Sequence, residues 1–151
     1  MERLEYKIDI SAPAKTVWET MLEKQTYEQW TARSWPSSTY KGKWGKGEEI
    51  SFVGTDGSGT HAELTVFEPY KRVLAKQIAL LGPGGVKDST SEVAKKWVGT
   101  TEEYQFSEHN GTTTLAVVIE VAKEWSDMFN EGWPIALEEL KKITEQKFAT
   151  A

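Results

Sequence analysis

"NEGWPIALEELKKITE" (Asn130 to Glu145) repeats apolar side chains every three or four residues. Trp133, Ala136, Leu137, Leu140, Ile143 and Thr144, with Phe148 beyond, form one stripe. Glu138, Glu139, Lys141, Lys142 and Glu145 fill the other side, and Glu138 with Lys142 makes a favourable i,i+4 pair. The stretch reads as a long amphipathic helix. A helix with a single apolar stripe must bury it against another layer, and an antiparallel sheet with one apolar face suits that need. The start of the helix is costly, because Trp133 stands between Gly132 and Pro134. In a helix interior Gly costs about 1 kcal/mol and Pro about 3 kcal/mol relative to Ala. If Asn130 caps the helix, Pro134 falls in its first turns, where most N–H groups lack partners anyway. If the helix begins near Ser126 or Asp127, Pro134 is interior and should kink it. Either way Trp133 heads the stripe.

Upstream of this helix the pattern is that of strands. "KWVGTTEEYQFSE" and "GTTTLAVVIEV" pair as a hairpin across "HNG", where Asn110-Gly111 is a strong turn signal. "TYKGKW", "EEISFVG", "HAELTVFEP" and "RVLAKQIALL" read as four further strands, with turns at Lys46-Gly47 and Thr55 to Gly59. The last of these offers a small face (Val73, Ala75, Gln77, Ala79) and a bulkier one (Leu74, Lys76, Ile78, Leu80), and periodicity leaves open which turns inward. "GPGGVKDSTSEVAKK" is a long connection. Ser89 and Glu92 stand there at capping-box spacing, as for one helical turn. At the N-terminus "LEYKIDI" alternates as a half-buried strand. "SAPAKTVWETMLEK" follows as a helix with Ser11 and Pro13 as start signals, and "TYEQW" as a second short helix capped by Thr26. The order is β-α-α-β(6)-α, an α+β fold. A helix of ~20 residues is about 30 Å long, enough to cross a curved antiparallel sheet.

Length and composition narrow the function. At 151 residues the chain is read as one domain, 1–151, with one core. Its mean hydropathy is -0.52. No apolar run approaches the roughly 18–20 residues of a membrane span. "MERLEYKIDIS" lacks the basic and apolar regions of a signal peptide, so a cytoplasmic location is expected. The absence of Cys excludes disulfides, thiolate catalysis and Cys-based zinc sites. A net charge of -5 with scattered basic residues argues against a nucleic-acid partner, and "KGKWGK" is read as a solvated hairpin. Seven Trp are the compositional excess, and Trp builds cores and ligand walls alike.

Six stretches then carry a resemblance. They are "IDISAPAKTVWETM" (Ile8 to Met21), "YEQWTA" (Tyr27 to Ala32), "YKGKWGKGEEISF" (Tyr40 to Phe52), "VFEPYKRVL" (Val66 to Leu74), "EYQFSEHNGTTTLAV" (Glu103 to Val117) and "GWPIALEELK" (Gly132 to Lys141). In this order they resemble the START-like (SRPBCC, Bet v 1-like helix-grip) superfamily. Within it they look like the branch named for the activator of the 90-kDa heat-shock protein's ATPase, the Aha-type C-terminal domain. The resemblance implies a curved sheet gripping the C-terminal helix, a mostly apolar cavity between them, and a fold that can also form homodimers. It places Trp30, Trp35 and Trp133 near the cavity mouth. The eukaryotic activator carries a further N-terminal domain that contacts the chaperone. Here the first strand begins near Leu4, so that domain is not expected.

Catalytic chemistry is sparse. His61 and His109 are the only histidines, and neither stands in a metal-ligand spacing. No metal or cofactor is expected. His109 sits beside a turn and is read as solvated; His61, after a Gly-rich loop, is a candidate for the cavity mouth. Alternation in "VGTTEEYQF" puts Val98, Thr100, Glu102, Tyr104 and Phe106 on the more apolar, inward face. A carboxyl in such a pocket would have a raised pKa. Glu102, with His61, is thus the acid/base candidate. The candidate ligand wall is Trp30, Trp35, Phe52, Leu64 and Val98 together with Glu102, Tyr104, Val117, Trp133 and Leu137. Three readings follow: a binder of a small hydrophobic or aromatic molecule, a polyketide-cyclase-like enzyme using Glu102, and a chaperone-interacting module.

Overall fold

The computed structural model describes residues 1–150. Along the chain run β1 (Glu2–Ile10), α1 (Ala14–Leu22), α2 (Lys24–Thr31), β2 (Thr39–Gly42), β3 (Glu49–Val53), β4 (Gly59–Glu68) and β5 (Arg72–Gly82). After a 3-10 turn come β6 (Val86–Asp88), α3 (Glu92–Trp97), β7 (Thr101–His109), β8 (Thr112–Val121) and, past a second 3-10 turn, α4 (Ser126–Ala149). The strands form one antiparallel sheet in the order β1-β8-β7-β5-β4-β3-β2, with β6 alongside β5. This is the α+β helix-grip arrangement: α4 lies across the sheet, and α1 and α2 close one end. No helix among the described residues is long and apolar enough to cross a membrane.

α4 is 24 residues long and contains Pro134 in its interior, so the earlier of the two start points holds. Gly132 serves a contact. A Cβ there would stand 2.5 Å from Cζ2 of Trp35, so only the missing side chain lets that indole lie on the helix. Ser34 Oγ donates to the Gly132 carbonyl at 2.7 Å and holds the same loop down. The lower stripe of α4 enters a packed core: Leu137, Leu140 and Thr144 join Ile10, Met21 and Leu115, each no more than 2% exposed. On β5 the small face turns inward, with Val73 and Ala75 in the core cluster.

Local start signals fared worse than periodicity. Ser11 does not cap α1. Its N-cap is Pro13, and the free Ala14 amide donates instead to Glu108 Oε1, 2.7 Å away on β7. Thr26 lies inside α2, which begins at Lys24, and its hydroxyl donates to the Glu23 carbonyl. The cap of α3 is Ser91 rather than Ser89: Ser91 Oγ accepts from the Ala94 amide at 3.2 Å. The strand read from Lys96 begins only at Thr101, because Lys96 and Trp97 close α3 and Gly99, at φ +90°, turns the chain. Val98 is therefore the C-cap of α3, 38% exposed, and not an inward residue of a strand. β6 is an additional strand that sequence did not reveal, since three residues are too few for alternation to register.

Candidate functional site

Between the concave sheet face and the first turns of α4 lies a cavity of about 340 Å³. Its wall is largely aromatic. Trp133 projects from α4 with its ring centroid 5.8 Å from Trp30, 5.4 Å from Trp35 and 6.0 Å from Tyr104. Tyr27 lies 5.2 Å from Trp30 and 5.9 Å from Phe52. Across the cavity Trp97 of α3 stacks on Phe129 of α4 at 6.4 Å and 15°. The rings are rigid and prop against one another edge to face, tilted or stacked, so the set does not collapse to fill a concave surface. From β5 the lining receives Gln77, on the same small face as Ala75, which stands opposite Glu102 in the β5–β7 register.

The polar groups in this wall are few. Tyr104 Oη donates to Glu102 Oε2. Burial pushes the Glu102 carboxyl up to about 7, opposed in part by that hydrogen bond. Burial, then the neighbouring Glu102, pushes the Tyr104 phenol well above its ordinary range. Near neutral pH the pair thus exists both as a protonated acid and as a carboxylate. Tyr27 Oη and Ser38 Oγ are 3.3 Å apart at the rim. Gln77 Oε1, Trp97 Nε1 and Trp133 Nε1 are buried with no hydrogen-bond partner. All three belong to residues of the cavity wall. Unpaired buried polar atoms cost stability and concentrate where a fold serves something other than stability.

Of the residues proposed from sequence, Trp30, Trp35, Phe52, Glu102, Tyr104 and Trp133 line the cavity. Leu64, Val117 and Leu137 lie instead in the packed core at 0–2% exposure. Their alternation was inward, but the space beside them is filled. Val98 is turned out of the site by the end of α3. His61 is also outside the wall. It stands opposite Ser51 on β3, with Nδ1 2.5 Å from Ser51 Oγ and Nε2 2.7 Å from Glu49 Oε1. Ser51 alternates with the cavity residue Phe52, so this trio occupies the other face of the sheet. His109 is exposed at the β7–β8 turn. Gln77, Trp97 and Phe129 line the cavity without having been singled out. Phe129 lies four residues before Trp133, so extending the helical stripe upstream would have found it. Gln77, on a β5 face whose direction periodicity left open, and Trp97 on a short helix carried no such signal. Among the described residues no group of three or more His, Cys, Asp or Glu could hold a metal.

Comparison with known proteins places this geometry. Residues 11–145 match the family described as "Activator of Hsp90 ATPase homolog 1-like protein". No curated protein matches the sequence. The fold is similar to that of MLL2253 from Mesorhizobium loti, with TM-score 0.75 and 14% identity over 96% of this chain and 98% of that one. It is similar to the Aha1 dimer from Colwellia psychrerythraea, with TM-score 0.68 and 20% identity over 96% and 97%. DynU16, a protein of the dynemicin biosynthetic locus, gives TM-score 0.71 and 17% identity over 98% of this chain and 49% of that one. At such identities the likeness speaks for the fold alone. The match over residues 11–145, on a sheet that grips a long C-terminal helix, shows that the chain belongs to the Activator of Hsp90 ATPase homolog 1-like family of START-like (SRPBCC) proteins.

Proposed function

We propose that this protein binds a small hydrophobic or aromatic molecule in the cavity between the sheet and α4. One observation carries the reading: a space of about 340 Å³ is held open by rigid aromatic rings from five separate elements. Pockets for small molecules have this size and this mixture of apolar wall and few polar groups. Burying ~200 Å² of ligand surface yields roughly 5 kcal/mol gross at 25 cal/mol/Å², before ordering costs. Micromolar affinity then needs a good fit or a polar anchor, and the Glu102–Tyr104 pair supplies one. A thermal-shift and calorimetric screen with flat aromatics and single-chain lipids tests this. Flat aromatics should raise the melting temperature, and Trp133→Ala should abolish the shift. A screen in which no aromatic or lipid binds would overturn the reading.

A second reading is favoured by the Glu102 carboxyl, which burial raises to about 7. A group that titrates there, hydrogen-bonded to a phenol in an apolar cavity, suits general acid/base work on a bound cyclisable substrate. Turnover of a polyketide-like substrate that falls at least a hundredfold in Glu102→Gln, with binding retained, would favour catalysis over carriage. A homodimer and a chaperone partner rest on likeness to the Colwellia dimer and on the family's description. Sedimentation of the purified chain and stimulation of a 90-kDa chaperone's ATPase test them.

A further inference from the structure

A second, polar groove of about 640 Å³ adjoins the cavity. The two share Ser38, Val53 and Gly54 as a common border, so they lie side by side. The groove is walled by Glu28, Ser37, Thr39, Lys41, Thr55 and Asp56. It therefore offers hydroxyls, carboxylate acceptors and one ammonium donor, with almost no apolar side chain. Its shape is fixed in advance. Thr39 Oγ1 donates to Glu28 Oε2 at 2.6 Å and sets that carboxylate against the groove wall. The Ser58 hydroxyl and amide donate to Asp56 Oδ1 at 2.6 and 2.9 Å, and hold the Asp56 carboxyl below its usual range. Gly57, at φ +85°, docks against the turn after β5, where a Cβ would stand 2.9 Å from the Gly85 nitrogen. The Gly84 amide donates to the Asp56 carbonyl at 2.7 Å. On the opposite bank Ser37 is held at φ +63°, an unusual conformation for a residue with a side chain.

Charge selects among polar groups. The lining residues carry two carboxylates and one ammonium, a net negative charge that disfavours a phosphate, sulfate or carboxylate and suits neutral hydroxyls, which both donate and accept. We propose that cavity and groove form one two-compartment site, whose ligand is an aromatic or apolar ring system bearing a neutral polyhydroxylated substituent such as a sugar. This rests on the cavity reading above and adds the class of the ligand's polar half.

The test is a calorimetric titration with 2-naphthol, 2-naphthyl β-glucoside and 2-naphthyl β-glucuronide. The glucoside should bind about tenfold more tightly than naphthol, equivalent to one or two net hydrogen bonds. The glucuronide should bind no more tightly than naphthol. Thr55→Trp, which fills the groove from an exposed turn, should remove the advantage of the glucoside and leave the naphthol Kd within about twofold. The pair Glu28→Ala, Thr39→Val should do the same by removing the polar partners. If naphthol binds and the glucoside is no tighter, or keeps its advantage in both variants, the groove inference fails while the cavity reading stands. A glucuronide tighter than the glucoside overturns the neutral class. If none of the three binds, the cavity reading fails and takes this inference with it.

Discussion

The two halves of α4 face the same sheet and behave differently. From Ala136 to Thr144 the stripe is aliphatic and small, and Leu137, Leu140 and Thr144 are buried to 2% exposure or less against Ile10, Met21 and Leu115. From Phe129 to Trp133 it is aromatic, and it lines a cavity of about 340 Å³ with unpartnered indole and amide atoms nearby. Branched aliphatic side chains choose among rotamers to fill space; broad rings prop against one another and leave it. One half of the helix is thus built for stability, and the other gives some of it up to keep a concave apolar surface available.

The largest test of that contrast is Leu140→Ala. It should cost about 3 kcal/mol, the loss for a fully buried leucine whose neighbours cannot collapse, measured by denaturant unfolding. A loss below ~1 kcal/mol would mean that the lower half is no better packed than the upper. Next is Glu102→Gln. The folded carboxyl titrates near 7 against an ordinary value of 4.5, so its ionised form is disfavoured by folding. Below the lower value both states are protonated and the group is neutral in effect. As pH rises through this window the unfolded chain loses the proton first, and stability falls. Glu102→Gln should therefore leave stability unchanged at pH 4 and raise it at pH 8 by up to roughly 3 kcal/mol, or ~8 °C in melting temperature. An equal effect at both pH values would place Glu102 in a wetter site than its burial indicates. The smallest effect is expected from Gly132→Ala. The new methyl must displace the Trp35 ring, but it also gains helix propensity worth ~1 kcal/mol, so the net loss should be about 1 kcal/mol. The sharper readout is Trp35 fluorescence, which should shift, together with weakened binding at the cavity mouth. Unchanged emission would show that the indole does not rest on the helix.

The site was partly legible before the fold was known. Trp133, Tyr104 and Glu102 could be placed inward by counting along one helix and one strand. Leu64, Val117 and Leu137 were placed inward by the same counting, yet they fill the core, because alternation gives direction and says nothing of how much room remains. Val98 failed for a different reason. A short helix capped by Ser91 ran on to Trp97 and shifted the start of the strand, and single-residue caps are read with little certainty in a Ser/Thr-rich loop.

What the sequence determined alone is what repeats along it. The stripe from Trp133 to Phe148, the alternation of Leu4 to Ile10 and the Asn110-Gly111 turn were enough for the element types, their order and the need for a sheet to cover the last helix. What tertiary structure alone decided joins residues far apart. Glu108 caps a helix 94 positions earlier, Gly132 makes way for Trp35, and β5 turns its small face inward so that the rings enclose space. Periodicity is a property of neighbours along the chain. A cap borrowed from another strand, and a cavity that stays open, depend on which surfaces the fold brings together and on how well their volumes match.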